Sequence, residues 1–401
     1  MFFCIYIIIM YNNIHIIKQG TVEIISEKSL VEKLKSGKPL RVKFGADPTA
    51  PDIHLGHCVI LEKLRRFQEL GHKVVFIIGD FTARIGDPSG QNETRNAMDE
   101  ERINANAGTY QDQVFRILER EKTEVVFNST WFDRMNLADV LKMSSYCTVA
   151  QMLARADFKQ RFAAGTDISI LEFLYPLLQA YDSVHVKADV EVGGTDQKFN
   201  LLMGRQLQND YHMQPQVVIT LPLLEGLDGV RKMSKSYGNY IGVTDPPDEM
   251  FGKIMSVSDE LMLRYYELLT DEDVTAVRSM NPRDAKAKLA KTIVARFYGA
   301  DAAGKAEEKF RKIFVEKVLP EKMETVVIGD KKIWVVNLLV KAGLVPTKNE
   351  AKRLIAQGGL KINGKKTQNV DTDLVMDEEY VIQIGKRKFK KVRGSLSGRR
   401  D

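Results

Sequence analysis

The chain has 401 residues, of which 44% are hydrophobic and 28% are charged. These are the fractions of an ordinary globular protein, so they exclude a largely disordered chain and predict two or three folded domains. The net charge of +6 is uneven, because residues 331–401 carry 17 Lys and Arg against 7 Asp and Glu, a charge of +10, which leaves −4 on the preceding residues. A basic tail on a mildly acidic body predicts a polyanionic partner, with nucleic acid as the expected class.

The first nine residues are almost wholly apolar. They have no leading Lys or Arg, are too short to span a bilayer and lack a small-residue cleavage site, so we do not interpret them as a signal. One explanation is a biological start later than Met1, such as Met10, since an ordinary polar helix is predicted from Asn13. The three cysteines are widely spaced: Cys4, Cys58 and Cys147. This spacing predicts neither a zinc site nor a disulfide framework, and it fits a cytoplasmic protein.

The first motif with chemical content follows a buried strand predicted at residues 41–44. A Gly, Asp and Pro turn leads to His54, Leu55, Gly56 and His57 at the start of a helix. Unpaired N–H groups and the positive end of the helix dipole favour an anion there, and the two imidazoles add donors. Without a Cβ, Gly56 lets a flat ligand lie against the backbone. Two surface histidines at an ordinary helix start are the alternative interpretation.

Strand-like and helical patterns alternate through the first half of the chain. Strands are expected at residues 41–44, 73–78 and 124–127, with a helix after His57 and another at residues 98–119. This alternation predicts a mostly parallel, doubly wound sheet, which binds ligands at the carboxyl ends of its strands. The loop at residues 79–90 follows a strand, and its carboxylates are candidates to hold an ammonium group, although Asp-Pro-Ser-Gly is also a standard turn; they are Asp80 and Asp87.

Residues 171–182 carry the most informative pattern for specificity. In a helix, Tyr175, Gln179 and Asp182 share one face that is otherwise surrounded by leucines. Buried polar groups are costly unless something satisfies them, and a bound polar ligand does so. A solvent-facing stripe is the less favoured alternative. Pro176 predicts that the helix starts or kinks near Tyr175.

Two further loops contain glycine next to charged residues. Gly193, Gly194 and Asp196 follow an apolar alternating run at residues 184–192, and Asp196 either caps the next helix or accepts from ribose hydroxyls. After a strand-like run at 217–224, residues 226–236 form a loop with Lys232 and Lys235, which can close over a polyphosphate. A solvated basic loop is the alternative interpretation for the second one.

These motifs resemble those of a known family. His54 to His57 and Lys232 to Ser236 are similar to the HIGH and KMSKS motifs of class I aminoacyl-tRNA synthetases. The run Tyr175-Pro-x-x-Gln179-x-x-Asp182, with Gly194-Thr-Asp196-Gln197 and Gly-Asp-Pro-Ser-Gly, resembles bacterial tyrosyl-tRNA synthetases, and the likeness extends from about residue 15 onward. The resemblance implies a tyrosine–tRNA ligase that converts L-tyrosine and ATP to tyrosyl-adenylate and pyrophosphate, and then transfers tyrosine to the 3′ end of its tRNA.

The resemblance also implies roles for single residues. The catalytic residues would be His54, His57, Lys232, Lys235 and Thr49. ATP would be bound by Gly45, Asp47, Gly56, Gly194, Asp196, Lys235 and Ser236. The tyrosine pocket would contain Asp87, Tyr175, Gln179, Asp182 and Gln197, with Asp182 accepting a hydrogen bond from the phenol. Mg²⁺ is expected to arrive with ATP, and no protein-bound metal is expected.

Lys43 departs from the pattern of many family members. They have a tyrosine there, whose hydroxyl also meets the substrate phenol, so the chain resembles the branch that lacks that residue. The sequence does not indicate what replaces the contact.

The rest of the chain is predicted to form two smaller domains. Residues 248–317 are helical in pattern, with a loop at 300–305, and residues 320–332 are interpreted as a linker or short strand. From residue 333, Trp334, Leu338 and Leu339 are predicted to share a helical face, Thr347 to cap a second helix that ends at Gly358, and two hairpins to turn at Asn363-Gly364 and Gly385-Lys386. This module resembles the α-L RNA-binding motif, which implies RNA contacts by Lys348, Lys352, Arg353, Lys361, Lys365 and Lys366.

The complete prediction is an α/β protein with three domains. Residues 1–244 form a Rossmann-like catalytic domain with a connective insertion at about 130–190, residues 245–320 an all-helical anticodon-side domain, and residues 331–401 a small α+β RNA-binding domain. The family implies a homodimer, with the apolar segments around residues 130–162 at the interface. The rival functions are a tryptophanyl-tRNA synthetase, another His-x-Gly-His nucleotidyltransferase and a pure RNA-binding protein. The last of these explains only the final 70 or so residues.

Overall fold

The computed structural model describes residues 13–49, 51–87, 99–314, 323–385 and 388–395. They form two compact units that divide between Glu307 and Glu308. The apolar N-terminal segment and both candidate start residues, Met1 and Met10, lie outside the described residues. Among the helices that are described, none is both long and apolar enough to cross a membrane.

A six-stranded sheet forms the centre of the first unit. Its strands are β1 (Glu23–Ile25), β2 (Arg41–Ala46), β3 (Lys73–Ile78), β4 (Thr123–Phe127), β5 (Val190–Gly194) and β6 (Val217–Leu221). Their order across the sheet is β1-β6-β5-β2-β3-β4. Strand β1 is antiparallel to β6, and all other neighbours are parallel. The predicted α/β fold with a doubly wound parallel sheet is confirmed.

The order of the strands determines where a ligand can bind. Strands β3 and β6 are nearly continuous runs of Val, Ile, Phe and Leu and are buried almost throughout, as expected in the middle of a parallel sheet. The chain runs from β2 through β3 to β4 on one side and returns through β5 to β6 on the other. Strands β2 and β5 are therefore neighbours at the point where the order reverses, and ligands of such sheets bind there, beyond the carboxyl ends of the strands.

The helices between these strands follow the predicted pattern with three corrections, the first of which is that the helix predicted at 98–119 ends at Val114. The helix that carries Tyr175 begins at Ile170, where the Ser169 side chain accepts from the Leu171 N–H, so the predicted start near Tyr175 is wrong and Pro176 lies inside the helix. The same helix continues to His185, so the run at 184–192 is divided between a helix end and β5. The helices are Glu27–Lys35, Leu55–Glu69, Glu100–Val114, Ser129–Phe132, Leu137–Ser144, Val149–Leu153, Ala156–Ala163, Ile170–His185 and Lys198–Asp210, with helical residues also at 13–18.

The chain after β6 becomes helical, as predicted. Its helices are Pro247–Met255, Asp259–Leu269, Val274–Arg278 and Pro282–Phe314. The loop predicted at residues 300–305 is wrong, because those residues are helical. The interruption is confined to Gly299, whose positive φ of 83° changes the direction of the chain within one residue.

In its described residues, the second unit contains two sheets, two complete helices and the last turns of the helix Pro282–Phe314. Its strands are β7 (Thr325–Ile328), β8 (Lys332–Trp334), β9 (Leu360–Ile362), β10 (Lys365–Thr367), β11 (Asp373–Val375), β12 (Tyr380–Ile384) and β13 (Lys388–Gly394). One sheet has the order β10-β9-β12-β13-β7, and β8 pairs with β11. The helices Val335–Lys341 and Lys348–Ala356 pack their apolar side chains, such as Leu338 and Ile355, into the core of this unit.

The predicted turns of this unit are confirmed where the structure describes them. Asn363 and Gly364 have φ values of 47° and 78° and join β9 to β10. Gly385 follows β12, which pairs with β13, while Lys386 lies outside the described residues. The Thr347 side chain accepts from the Glu350 N–H and caps the second helix. Trp334 was predicted on a helical face, which is wrong, because it ends β8 and precedes the helix.

Candidate functional site

The ends of β2 and β5 open into a cleft of about 390 Å³. This volume lies within the usual range for small-molecule sites. Ser236 lies outside the cleft lining and is exposed on its loop, with its Oγ 2.9 Å from that of Ser234. The other residues predicted to act on ATP or the amino acid all line the cleft: Gly45, Asp47, Thr49, His54, Gly56, His57, Asp87, Tyr175, Gln179, Asp182, Gly194, Asp196, Gln197, Lys232 and Lys235.

Backbone hydrogen bonds bring the two predicted phosphate-binding segments together. The Leu55 N–H donates to the Ile241 carbonyl and the Val243 N–H donates to the Ile53 carbonyl, each at 3.0 Å. The segment after the basic loop therefore pairs with the residues that open the helix Leu55–Glu69. A Cβ on Gly56 would lie 3.5 Å from the Met233 Cβ, so the two segments are in direct contact.

The two histidines are fixed as neutral hydrogen-bonding groups. The His57 Nδ1 accepts from the His54 N–H at 3.2 Å, which leaves the proton of the neutral ring on Nε2. Burial and the neighbouring His57 lower the pKa of His54 to about 2, and burial and the charge of Lys235 lower the pKa of His57 to about 4. The buried His54 Nδ1 has no hydrogen-bond partner in the described part of the chain. An unsatisfied buried nitrogen beside a neutral ring fits a polar ligand.

The start of this helix differs in one respect from the prediction. The N–H groups at the helix start were expected to be unpaired and available to an anion, but that of Leu55 donates to the Ile241 carbonyl. The His57 N–H donates to the His54 carbonyl at 2.9 Å. The imidazole rings are therefore better placed than these backbone N–H groups to bind an anion at this helix start.

Each lysine of the basic loop faces a carboxylate at the rim of the cleft. The Lys232 Nζ lies 3.2 Å from the Asp196 Oδ2, and the Lys235 Nζ lies 3.6 Å from the Asp52 Oδ2. Asp196 was considered as a helix cap, but Gln197 occupies the cap position of the following helix. Both lysines are partly exposed, so their ammonium groups can exchange these partners for the phosphates of a ligand.

Asn239 determines the shape of the basic loop. Its Nδ2 donates to the Asp228 Oδ2 at 3.0 Å and to the Lys232 carbonyl at 3.2 Å, and its Oδ1 accepts from the Ser234 N–H at 2.9 Å. A Cβ on Gly226 would lie 2.2 Å from the Asn239 Cγ, so only glycine fits there. The buried amide thus connects both ends of the loop.

Asp182 lies at the deep end of the cleft as a buried carboxylate. Its Oδ1 accepts from the Trp131 Nε1 at 3.0 Å, and its Oδ2 lies 3.5 Å from the Asn128 Nδ2. Burial raises the pKa of Asp182 to about 7, against the opposing effect of the Lys43 charge. A carboxylate with two fixed donors and remaining lone pairs can accept a further hydrogen bond from a ligand hydroxyl.

The other polar side chains of the cleft are held by one another. Tyr175 donates to the Asp47 Oδ2 at 2.8 Å. Asn200 donates to the Gln179 Oε1 at 2.8 Å and to the Gln197 Oε1 at 3.1 Å. The less favoured alternative, a solvent-facing stripe, is therefore wrong, since the polar face of the helix Ile170–His185 faces the cleft.

The predicted RNA-binding residues lie in the second unit. All six are exposed, on the helix Lys348–Ala356 and on β9 and β10: Lys348, Lys352, Arg353, Lys361, Lys365 and Lys366. Lys352 also lies over the Trp334 ring, with its Nζ 5.4 Å from the ring centroid.

Comparison with known proteins identifies the family. The sequence profile of the family described as "tRNA synthetases class I (W and Y)" matches residues 35–315. The chain belongs to the class I tRNA synthetases. The profile described as "Tyrosine--tRNA ligase SYY-like C-terminal domain" matches residues 315–392 of this synthetase.

Individual relatives of this class I synthetase match along most of the chain. The tyrosine–tRNA ligase of Aquifex aeolicus is 55% identical over 94% of this chain and 98% of its own length. The tyrosine–tRNA ligase of Geobacter sulfurreducens is 54% identical over 94% and 97%. The crystal structure of tyrosyl-tRNA synthetase from Archaeoglobus fulgidus, complexed with L-tyrosine, has a TM-score of 0.61 and 25% identity, and covers 74% of this chain and 99% of that one.

One predicted ligand group of the synthetase cleft has a structural role instead. Asp80 was a candidate to hold an ammonium group together with Asp87. Its buried carboxylate accepts from the Phe81 N–H and from the N–H and hydroxyl of Ser129, so it links the end of β3 to the helix Ser129–Phe132. Asp87 faces the cleft and accepts from the Gln197 Nε2 at 2.9 Å.

Several residues that shape the synthetase site were not predicted. Their sequence signals are weak. Each of these residues stands alone in a motif or an apolar run, and the residue that it bonds to is distant along the chain. The clearest signal is Glu191, a charged residue inside the apolar strand β5. The unpredicted residues are Asp52, Thr82, Asn128, Trp131, Ser183, Glu191, Asn200, Gln216 and Asn239.

Proposed function

We propose that this chain is a tyrosine–tRNA ligase: it activates L-tyrosine with ATP and transfers the tyrosyl group to the 3′ end of tRNA. The observation that carries the proposal is the cleft at the β2/β5 switch point, where the two phosphate-binding segments and the buried Asp182 line one cavity. Relatives named tyrosine–tRNA ligase that are 54–55% identical over 94% of the chain support it.

Activation requires no nucleophile from the protein. A carboxylate oxygen of tyrosine attacks the α-phosphorus of ATP, the new P–O bond forms the adenylate, and the bond to pyrophosphate breaks. The protein contributes position and charge stabilisation. His54 and His57, neutral at working pH, donate to the phosphate oxygens, and Lys232 and Lys235 exchange their carboxylate partners for the leaving pyrophosphate.

ATP lies across the carboxyl ends of β2 and β5 in this proposal. Gly45, Gly56 and Gly194 let the nucleotide approach the backbone, since none of them has a Cβ in the way. Asp196 accepts from the ribose hydroxyls once Lys232 has moved to the phosphates. Asp47, Thr49 and Ser236 complete the polar contacts. Mg²⁺ arrives with ATP and offsets the charge of its phosphates.

In this proposal the pocket selects tyrosine through a buried carboxylate that requires a hydrogen-bond donor from the substrate. The Asp182 carboxylate accepts from the substrate phenol, while Trp131 and Asn128 hold it in place. Phenylalanine would leave this buried carboxylate without that bond, and an unpaired buried polar group disfavours the wrong substrate strongly. Tyr175, Gln179, Asp87 and Gln197 surround the rest of the amino acid, and their carboxylate and amide oxygens suit its ammonium group.

The second unit supplies the proposed tRNA contacts. Its six exposed basic residues, Lys348, Lys352, Arg353, Lys361, Lys365 and Lys366, lie on a helix and a two-stranded ribbon, which suits contact with phosphates and RNA shape more than base sequence. The match of residues 315–392 to a synthetase C-terminal domain supports this role. We also retain the division into a catalytic domain (1–244), a helical domain (245–320) and an RNA-binding domain (331–401), and a cytoplasmic location, as proposals.

The proposed assembly is a homodimer. The helices between β4 and β5 expose large apolar side chains: Leu137, Leu141, Val149, Phe162 and Ile170 are each more than 60% exposed. Exposed apolar residues grouped in one segment are typical of a protein interface, and a second copy of this chain is the proposed partner. Sedimentation equilibrium at micromolar concentration tests this, and a monomer there contradicts it.

The function is tested by ATP–pyrophosphate exchange with each of the twenty amino acids. Tyrosine is expected to support exchange and phenylalanine and tryptophan are not, because only tyrosine pairs its hydroxyl with Asp182. The second half of the assay measures transfer of labelled tyrosine to tRNA from a related bacterium. Exchange that depends on tryptophan would identify the rival synthetase, and no exchange with any amino acid would contradict the proposal.

A further inference from the structure

Lys43 is a buried cation in the centre of the sheet. It lies in the apolar strand β2, and its side chain is fully buried. In the register of the sheet it is the direct neighbour of Glu191 on β5, and its Nζ lies 2.7 Å from the Glu191 Oε1. The Glu191 side chain is 2% exposed, so the pair is desolvated on both sides. A buried pair of this kind is maintained only if its geometry is good and its remaining hydrogen-bonding groups are satisfied.

Every donor of the Lys43 ammonium group is in use. Besides Glu191, it donates to the Ser183 Oγ at 2.7 Å and to the Gln179 carbonyl at 3.0 Å. An ammonium group has three N–H donors, and these three acceptors account for them. Lys43 therefore has no hydrogen left with which to contact a substrate phenol.

The network around the pair continues through two neighbouring side chains. The Ser183 Oγ donates to the Glu191 Oε2 at 3.0 Å, and the Gln216 Nε2 donates to the same oxygen. A Cβ on Gly204 would lie 2.7 Å from the Gln216 Nε2 and 3.0 Å from the Ser183 Oγ. The helix Lys198–Asp210 thus closes over the network, and only a glycine allows this approach.

The network connects the sheet to the helix that carries the specificity residues. Gln179 and Ser183, which accept from Lys43, belong to the helix Ile170–His185, on either side of Asp182. Gln179, Asp182 and Glu191 all line the cleft. The Lys43 charge also opposes the effect of burial on the pKa of Asp182, which indicates electrostatic coupling between the pair and that carboxylate.

We propose that the Lys43–Glu191 ion pair is a positioning element that determines the selection of tyrosine. It holds the helix Ile170–His185 against β2 and β5, so that Gln179 and Asp182 meet the substrate in a fixed geometry. Lys43 acts through these residues and does not touch the substrate. The inference rests on the proposed function and adds to it the origin of specificity in a pocket that lacks a tyrosine at position 43.

The test is a double-substitution cycle in the full-length protein. The variants are Lys43→Met, Glu191→Gln and the double variant, with Lys33→Met as the matched control. Lys33 is also buried and pairs with Asp189 at 3.0 Å, but it lies outside the cleft lining. Pyrophosphate exchange gives KM for tyrosine and for ATP, kcat, and the ratio of kcat/KM between tyrosine and phenylalanine for each protein.

Lys43→Met is expected to raise the tyrosine KM and lower the tyrosine-to-phenylalanine ratio about tenfold or more, with the ATP KM within about twofold of wild type. The double variant is expected to recover most of this loss, because no buried charge is then left unpaired. Lys33→Met is expected to keep the wild-type ratio. If Lys43→Met does not fold, Ser183→Ala keeps both charges, removes one link, and is expected to shift the tyrosine KM in the same direction.

Two results overturn the inference while leaving the proposed function intact. One is a Lys43→Met or Ser183→Ala variant with wild-type tyrosine KM and wild-type discrimination. The other is a double variant as impaired as Lys43→Met, which means that the ammonium group acts on the substrate directly. A wild-type protein without tyrosine-dependent exchange overturns the proposed function, and the inference with it.

Discussion

At the scale of single residues, Asp182 shows that binding and stability make opposite demands. The folded protein buries this carboxylate, and burial raises its pKa to about 7. Trp131 and Asn128 lower the pKa by hydrogen bonding, but they do not compensate for the loss of water. The residue proposed to recognise the phenol therefore destabilises the fold whenever it is ionised.

We predict that Asp182→Asn stabilises the protein at neutral pH and abolishes selection for tyrosine. An unfolded Asp ionises near pH 4, whereas the folded Asp182 ionises near pH 7. Between these values the unfolded state loses its proton first, so rising pH destabilises the wild type by up to about 1.4 kcal/mol per pH unit. Asparagine does not titrate. Its advantage should grow from pH 4 to pH 7 and then level off.

Urea unfolding of both proteins at pH 5, 6, 7 and 8 measures this difference. Asp189→Asn is the matched control, because Asp189 is partly exposed and pairs with Lys33. A stability difference between wild type and Asp182→Asn that stays constant over this pH range would contradict the prediction.

The sequence alone predicts some residues of the site but not their partners. The i, i+4, i+7 spacing of Tyr175, Gln179 and Asp182 is sufficient to place them on one face, because helical periodicity is local. The pairing of Lys43 with Glu191 needs the adjacency of β2 and β5, which are far apart in the chain. A charged residue inside each of two mostly apolar strands is the signal, and only the register of the sheet shows that these two residues pair.

At the scale of elements, the basic loop is an ordered turn whose geometry depends on one amide. Asn239 bonds to Asp228, to the Lys232 carbonyl and to the Ser234 N–H, so it holds the backbone on either side of Met233. Met233 itself is buried, which fixes the side of the loop on which Lys232 and Lys235 emerge.

We predict that Asn239→Ala lowers kcat for tyrosine activation about tenfold, with little change in the tyrosine KM. The loop is proposed to act on the leaving pyrophosphate, so disordering it costs transition-state stabilisation more than substrate binding. Steady-state pyrophosphate exchange measures both constants. Val230→Ala is the control, since Val230 lies on the same loop and is 82% exposed. Equal effects of the two substitutions would refute the role of Asn239.

Helices and strands with a strong local sequence pattern were predicted well, but the positions at which helices begin or change direction were not. Strands β2, β3 and β4 and the helix Leu55–Glu69 follow from apolar runs and periodicity. Pro176 was expected to mark a helix start or a kink. The start is wrong, because tertiary packing of the apolar faces keeps the helix continuous from Ile170. Near residue 300, polar composition predicted a loop, but the residues are helical. The chain changes direction at Gly299 alone, which has a positive φ.

At the scale of the whole molecule, the excess positive charge lies within the second of the two compact units. The doubly wound sheet carries the cleft in the first unit, and the second unit has its own core, formed by residues such as Val335, Leu339 and Ile382. The excess positive charge resides in the last 71 residues, which include this core. Composition alone predicted the polyanion partner, but the number of compact units required the contacts of the folded chain.

We predict that a chain ending at residue 322 activates tyrosine normally but charges tRNA at least about tenfold more slowly at low substrate concentration. The truncation removes the exposed lysines proposed to contact phosphates and leaves the cleft residues in place. Pyrophosphate exchange and tRNA aminoacylation, assayed on the same preparation, measure the two steps. Loss of both activities in a truncated protein that still unfolds cooperatively would argue against this separation.

The two ion pairs at the mouth of the cleft change how nucleotide binding should be understood. Before ATP arrives, Lys232 and Lys235 already have the anions Asp196 and Asp52 as neighbours. In the proposed mechanism, phosphates replace these carboxylates beside the lysines, so part of the Coulomb attraction is offset by the loss of the existing pairs. In that mechanism, neutralising Asp52 would strengthen the binding of product pyrophosphate as well as of ATP. The proposed exchange of partners would therefore also help the lysines to release pyrophosphate, because they can return to Asp52 and Asp196.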